Sequence, residues 1–340
     1  MNKRKYLAVV IGAALGAATV ACLAPKAEEQ RAAASKAKAA PRTAWGDPDL
    51  RGVWTGSSIT PLERPEEFAG REFLTEAETA AVEERAARDR VDRPPRQGDP
   101  GTYNQIWFDP ASRVVPTRRT SLIVDPPDGR LPFTAEGRRH QTRSSARYGV
   151  GPRDSWLDLD TGERCLTDGL PLYWTGYNNN YQIFQARDYV VILAEMFRDR
   201  RIIPLDGRSH GNVPQWLGDS RGRWEGDTLV VETTMFADKA HYWWVSAWRA
   251  SRPTLRLAER FTRVGGETID YQFTMDDPAM FTRPWTAAFP LTTNQASRGV
   301  TVGQLYEYAC HEGNYSLANV LAGARAQDRA AEKGAQKGSK

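Results

Sequence analysis

Residues 255–264, LRLAERFTRV, and residues 268–275, TIDYQFTM, flank the pair Gly265-Gly266. In the second run every other residue from Ile269 to Met275 is apolar, which is the period of a strand with one buried face. Two strand-like runs that are separated by a short glycine-containing connection predict an antiparallel β-hairpin.

Other apolar runs rich in β-branched and aromatic residues surround this hairpin in the chain. They lie at 121–124, 181–186, 189–197, 201–205, 228–232 and 305–310. Thr75 and Glu78 form a capping-box pattern that predicts a surface helix near 75–90, and Ser316 can cap a C-terminal helix. The chain is therefore predicted to be mainly β: an antiparallel β-barrel or sandwich, with a lipocalin-like barrel favoured, one early surface helix and one C-terminal helix.

Residues 1–22 have the pattern of an export signal. Residues 3–5 are Lys-Arg-Lys, a short apolar stretch follows at 7–20, and Cys22 ends a segment that resembles a bacterial lipoprotein processing site. Cys22 is thus the predicted lipidation site, and we expect a lipid-anchored protein of the periplasm or outer membrane. A transmembrane anchor is the alternative, but a span needs about 20 apolar residues.

Composition defines the remaining organisation and argues against one class of partner. Residues 23–44 predict a flexible tether, 45–329 a single β-rich domain and 330–340 a disordered tail. The chain has 46 Lys and Arg against 42 Asp and Glu, a net charge of +4 that falls to +1 without the signal. This near-neutral balance argues against nucleic-acid binding.

Three cysteines are present in the chain. With Cys22 assigned to a lipid, Cys165 and Cys310 remain as an even pair in an oxidising compartment, where disulfides persist. We predict a Cys165–Cys310 disulfide, with two unpaired buried thiols as the alternative.

Strand alternation directs two glutamates toward the core. Glu259 shares a face with Leu257 and Phe261, and the same count places Glu195 on one face with Val191 and its neighbours. A buried carboxylate must be paired, hydrogen-bonded or protonated. The arginines nearest in sequence that could pair with them are Arg198, Arg260, Arg263 and Arg283, and such a pair is often purely structural.

A catalytic role for these acids would need a base or a second acid. Glu195 or Glu259 with His210 or His311 could act as general acid and base if a pocket reaches them. Such a site would favour cofactor-independent isomerisation, hydration or hydrolysis.

Other chemistries have less support. Ser209 lies in a G-x-S-x-G pattern, but Asn212-Val213-Pro214 follows where a nucleophile elbow needs a helix. Lys239 is the only lysine between residues 39 and 332, which leaves almost no candidate for Schiff-base chemistry. We expect no cofactor and no metal, although a metal site shared by His210 and His311 from separate loops stays open.

The aromatic content, 11 Trp, 12 Tyr and 11 Phe, suits a barrel lined for an apolar or aromatic ligand. A large β core that these residues simply fill is the alternative. An asparagine triplet at 178–180 could line the mouth of a pocket, or form a turn. The candidate ligand-binding residues are Asn179, Tyr181, Trp224, Trp244 and Tyr271.

Four stretches resemble a large family of exported bacterial proteins without an assigned function. They are PLDGRSH at 204–210, GDSRGRWEGDTLVVETT at 218–234, ERFTR at 259–263 and YEYACHEGNY at 306–315. The similarity runs from about residue 49 to residue 325, and relatives commonly have Pro where this chain has Ser209. The resemblance implies kinship and no particular chemistry.

Three functions follow as hypotheses. The first is an exported, lipid-anchored protein that binds a small apolar or aromatic molecule in a barrel pocket. The alternative is a cofactor-independent isomerase, hydratase or hydrolase on the same scaffold, and the second alternative is a structural or interaction protein of the envelope. The expected partners are the small molecule and, through the lipid alone, a membrane.

Overall fold

A computed structural model describes residues 40–89, 111–147, 153–173, 176–238, 244–249, 252–300 and 302–338. The predicted signal with Cys22 and most of the predicted tether lie outside the described residues, as does the side chain of Trp244. None of the helices within these ranges is long and apolar enough to cross a membrane.

The described residues form a mainly β structure, a nearly closed antiparallel barrel of nine strands. The barrel follows the order β5-β4-β3-β1-β10-β9-β8-β7-β6, and β2 pairs with β10 outside this path. The strands are β1 (Gly52–Thr55), β2 (Ile123–Asp125), β3 (Asn180–Gln185), β4 (Tyr189–Ala194), β5 (Arg200–Pro204), β6 (Asp219–Glu225), β7 (Thr228–Thr234), β8 (Arg256–Arg263), β9 (Thr268–Asp276) and β10 (Trp285–Thr292).

The predicted hairpin is confirmed as β8 and β9, which pair in register from Arg256 opposite Asp276 to Arg263 opposite Ile269. Alternate residues of both strands are buried. The strand predicted at 305–310 is wrong, because these residues are irregular and pair with no described strand. Strand β10 was not predicted.

Three α-helices lie within the described residues. Helix α1 (Glu76–Asp89) confirms the predicted surface helix, and its capping box is formed: Glu78 N donates to Thr75 Oγ1 at 3.2 Å and Thr75 N to Glu78 Oε2 at 2.9 Å. Helix α2 (Ala135–Arg147) was not predicted. The predicted C-terminal helix is α3 (Ser316–Gly338), which continues through most of the tail that was expected to be disordered.

Large apolar side chains fill the inside of the barrel. Trp54, Phe261, Tyr271, Phe273 and Trp285 are all at most 1% exposed and belong to one cluster that spans the barrel. The burial of this much aromatic surface is the main source of stability. The aromatic residues in the lumen therefore form a packed core.

Side chains close the seam between β5 and β6, the two ends of the sheet. Arg201 Nε on β5 donates to Ser220 Oγ on β6 at 3.0 Å. A Cβ at Gly222 would lie 2.6 Å from Leu205 Cδ2 and 2.8 Å from Ile203 Cγ2. Glycine at this position therefore leaves room for the side chains of Ile203 and Leu205 at the seam.

Candidate functional site

Glu259 points into the barrel, as its alternation with Leu257 and Phe261 predicted, and is fully buried. Its carboxylate pairs with the Arg201 guanidinium through Nη1 and Nη2, with Nη1 3.1 Å from Oε1. Tyr271 Oη donates to Oε1 at 2.7 Å. The partner of Glu259 is thus Arg201 on β5, so the prediction of a partner near in sequence is wrong. The four predicted arginines bind elsewhere: surface acids pair with Arg198, Arg260 and Arg283, and backbone carbonyls accept from Arg263.

Glu195 is also buried, at 2% exposed, but for another reason. On β4 the inward residues are Val190 and Ile192, so the predicted face is off by one, and Glu195 follows the end of the strand. It accepts hydrogen bonds from Asn180 Nδ2 at 2.8 Å, Asn180 N at 3.3 Å and Tyr306 N at 2.9 Å. Its carboxylate therefore fastens the start of β3 to a C-terminal segment.

The two candidate histidines lie apart from these acids. His210 Nδ1 is 3.4 Å from Asp219 Oδ2, and His311 is exposed in the turn after Cys310. No described contact joins either histidine to Glu195 or Glu259. Among the described residues, no group of three or more His, Cys, Asp or Glu could hold a metal ion.

A narrow cavity, here the end cavity, opens where β3 begins, β4 ends and β5 begins. The predicted residues Asn179 and Tyr181 both line it. Its volume is about 20 Å³, room for about one water molecule. The other lining residues are Asp168, Gly169, Leu170, Leu172, Tyr173, Asn178, Ile192, Ala194, Met196, Asp199, Arg201 and Leu217.

Two aspartates that the sequence did not single out line the end cavity. Asp199 Oδ2 accepts from Thr167 Oγ1 at 2.6 Å and Asp168 N at 3.0 Å, yet burial raises its pKa to about 6. Burial also raises the pKa of Asp168, and the nearby Arg249, whose Nη1 is 3.3 Å from Asp168 Oδ2, opposes that rise. Both positions look like ordinary turn aspartates in the sequence, so no pattern marks them.

Four of the six described non-glycine residues with positive φ lie near the end cavity. Cys165, Asn178, Phe197 and Arg198 have φ values of 55°, 50°, 54° and 55°, in the left-handed region that non-glycine residues seldom occupy. Each residue lies in or next to a segment that lines the cavity. Such strain is characteristic of functional sites.

A wider cleft, here the aromatic cleft, lies on the other side of Tyr173, which is a wall of both spaces. The volume of the cleft is about 410 Å³. The Tyr173 and Trp248 rings meet edge to face with centroids 5.6 Å apart. The cleft is lined by Pro61, Leu62, Glu63, Leu131, Gln141, Tyr173 and Trp248.

The end cavity and the aromatic cleft are mechanically connected. Tyr181 Oη, beside the cavity, donates to Tyr173 O at 2.7 Å. Arg249, next to Trp248 in the chain, bonds Asp168 and donates from Nη2 to Pro171 O at 3.3 Å. The segment that lines the cavity thus fixes both aromatic walls of the cleft.

The remaining candidate ligand-binding residues lie elsewhere. The ring of Tyr271 is 1% exposed, its hydroxyl is bonded to Glu259, and burial raises its pKa well above the usual value. Trp224 is half-buried near the β6–β7 turn and packs against the core. Trp248, a neighbour of Trp244 in the sequence, is the tryptophan that lines a cleft.

The Cys165–Cys310 disulfide is formed, as predicted. No family model matches the chain, and no curated protein or solved structure matches it either. The resemblance to exported bacterial proteins therefore stays a prediction.

Proposed function

We propose that the protein binds a small aromatic molecule with a hydrogen-bond donor in the aromatic cleft. The observation that carries this proposal is the cleft's volume of about 410 Å³ behind mainly apolar walls, since small-molecule sites usually measure about 300–1,000 Å³. The end cavity is too small for such a ligand, and the lumen is filled.

The walls favour a flat ring with one polar group. Tyr173 is half-buried and can contact a bound ring, whereas Trp248 is 3% exposed, already packs against Tyr173, Phe273 and Trp285, and supplies only a small apolar part of the wall. A contact between Tyr173 and an aromatic ligand contributes about 0.5–1.5 kcal/mol beyond burial. Glu63 Oε1 accepts from Leu131 N at 2.9 Å and lies 3.5 Å from Arg130 Nε. Because Arg130 already compensates this charge, a neutral N–H or O–H group fits the carboxylate best.

Titration with indole and with 1-methylindole, followed by calorimetry or ligand-observed NMR, tests this proposal. We expect indole to bind more tightly, because 1-methylindole has no donor for Glu63. Gln141→Trp should fill the cleft and weaken indole binding at least tenfold. Thr142→Trp is the matched control, because Thr142 is exposed on the same helix and does not line the cleft.

Absence of indole binding, or equal binding by the two tryptophan variants, would reject the cleft as the site. Export, lipidation at Cys22, an envelope location and a lipocalin-like identity of the barrel also stay proposals. The N-terminal pattern supports the first three, and the disulfide fits an oxidising compartment.

A further inference from the structure

Residues 302–315, here the C-terminal strap, are fastened to the barrel beside the end cavity. Cys310 is disulfide-bonded to Cys165, and Tyr306 N donates to Glu195. Glu307 pairs with Arg198 at 2.7 Å. The Tyr308 ring lies 4.7 Å from the Phe197 ring, centroid to centroid.

Every one of these attachment points borders a cavity-lining segment. Cys165 precedes the lining residues from Asp168 to Tyr173, and Glu195, Phe197 and Arg198 lie between or beside Met196 and Asp199. The strap is therefore attached to the same backbone that forms the cavity and, through Tyr173, the aromatic cleft.

The disulfide is chemically asymmetric. Asn314 Nδ2 donates to Cys165 Sγ at 3.3 Å, in an exposed position. A hydrogen-bond donor stabilises a thiolate, and the sulfur that carries more stable negative charge leaves faster in thiol–disulfide exchange. No described donor stands beside Cys310 Sγ in the same way. The geometry thus marks Cys165 as the leaving sulfur and Cys310 as the one attacked.

We propose that Cys165–Cys310 is a redox site for a dithiol reductant and that its reduction releases the C-terminal strap. A thiolate of the dithiol attacks Cys310 Sγ, the S–S bond breaks and Cys165 leaves as a thiolate. The second thiolate of the dithiol then attacks the mixed disulfide and expels Cys310. The reductant becomes a disulfide, its two electrons pass to the cysteines, and its two thiol protons end on them.

Release of the strap would loosen the cavity walls. Without the covalent link, the described contacts that the strap keeps are weaker. They are two part-buried hydrogen bonds, from Tyr306 N to Glu195 and from Gly303 N to Gln295 Oε1, an exposed ion pair that water screens, and ring contacts of Tyr308. Tyr173 would then lose part of its support, and the cleft would bind its ligand more weakly. This last consequence rests on the proposed function.

The chemistry is tested first on the full chain with a monothiol and a dithiol. A limiting amount of glutathione should form the mixed disulfide at Cys310 in preference to Cys165, as located by peptide mass spectrometry. Asn314→Ala should slow reduction by dithiothreitol about three- to tenfold, whereas Asn319→Ala, whose side chain bonds neither sulfur, should not. Adducts mainly on Cys165, or equal rates in the two variants, would overturn the assignment.

The release is tested by hydrogen exchange of the oxidised and reduced protein. Reduction should increase amide exchange in 302–315 and in 167–173, while the hairpin at 256–276 keeps its protection. Unchanged exchange in 302–315 would overturn the release. Indole affinity, measured in parallel, should fall about tenfold on reduction. If indole binds neither form while exchange responds, the redox site stands and the proposed function alone fails.

Discussion

The interior of the barrel and its open end both bury acids, and they treat them differently. Glu259 in the interior has a full counter-charge, because Arg201 reaches it across the β5–β6 seam and Tyr271 donates a further hydrogen bond. Asp199 at the end accepts hydrogen bonds from a hydroxyl and an amide but pairs with no cation among the described residues, and burial raises its pKa to about 6. Burial alone therefore does not decide how a buried acid is stabilised; the groups that contact its carboxylate do.

The largest effect should follow from breaking the interior pair. Glu259→Gln leaves the Arg201 guanidinium buried without a counter-charge, which should lower the free energy of unfolding by about 3–5 kcal/mol. Urea denaturation measures this change. Glu232→Gln is the control, because Glu232 is exposed and pairs with Arg223 at the surface; this substitution should cost less than about 1 kcal/mol.

The double variant Arg201→Met/Glu259→Leu removes both charges and should recover part of the lost stability, since two apolar groups need no counter-charge, although the buried Tyr271 hydroxyl loses its acceptor. If Glu259→Gln lowers the free energy of unfolding by less than about 1 kcal/mol, the Arg201–Glu259 ion pair is not needed for stability, and the interior resembles the barrel end in this respect.

The second effect concerns pH at the barrel end. Burial raises the Asp199 pKa from 3.8 to about 6, so between these values the unfolded chain loses this proton before the folded chain does. Stability from this group is therefore full below pH 4, falls as the pH rises to 6 and then stays constant, a total of at most about 3 kcal/mol.

The side chain in Asp199→Asn cannot ionise, so this variant should lose less stability than the wild type as the pH rises from 4 to 7.5. The free energy of unfolding, measured at both pH values, would show this difference. Asp188→Asn, at an exposed position of the β3–β4 turn, should leave the fall as it is. If both variants keep the wild-type pH dependence, Asp199 does not titrate in this range.

The smallest effect lies between the two regions, at Glu195. Glu195→Gln replaces one acceptor oxygen with an amide that cannot accept from Tyr306 N or from Asn180, which should cost about 1–2 kcal/mol. Hydrogen exchange at the Tyr306 amide should increase at the same time. Glu225→Gln, an exposed partner of Arg223 and Arg260, is the control, and equal exchange at Tyr306 in both variants would contradict the role of Glu195.

The alternation of apolar and polar residues predicted the features that depend on the sequence of a single strand. The hairpin of β8 and β9 and the inward direction of Glu259 both follow from a two-residue period with one polar face. On β4 both faces are apolar, so the sequence does not show which face is buried, and Glu195 was assigned to the wrong face. Helix α2 was missed because its sequence has no apolar stripe. The helix is instead held by a close backbone contact, since a Cβ at Gly137 would lie only 2.1 Å from Met280 O.

The site depends on contacts between distant parts of the chain, which one sequence does not reveal. Arg201 and Glu259 are 58 residues apart and meet only because the sheet curls until β5 reaches β6. Tyr173 and Trp248 become the walls of one cleft through Asp168 and Arg249, an ion pair that no local pattern announces. Asn179 and Tyr181, which the sequence nominated as ligand-binding residues, line the end cavity because they flank the first residue of β3; ligand binding by them stays a prediction.

The seam at Gly222 also determines how this barrel meets other copies of itself. Strands β5 and β6 are the two sheet edges, and a free edge is a template for a strand from another molecule. Here Ile203 and Leu205 lie against Gly222, so each edge shields the other. A side chain at residue 222 would displace the side chains of Ile203 and Leu205 and so weaken this mutual cover. Two complementary strand edges left exposed on one molecule are the arrangement that can link monomers into strand-exchanged chains.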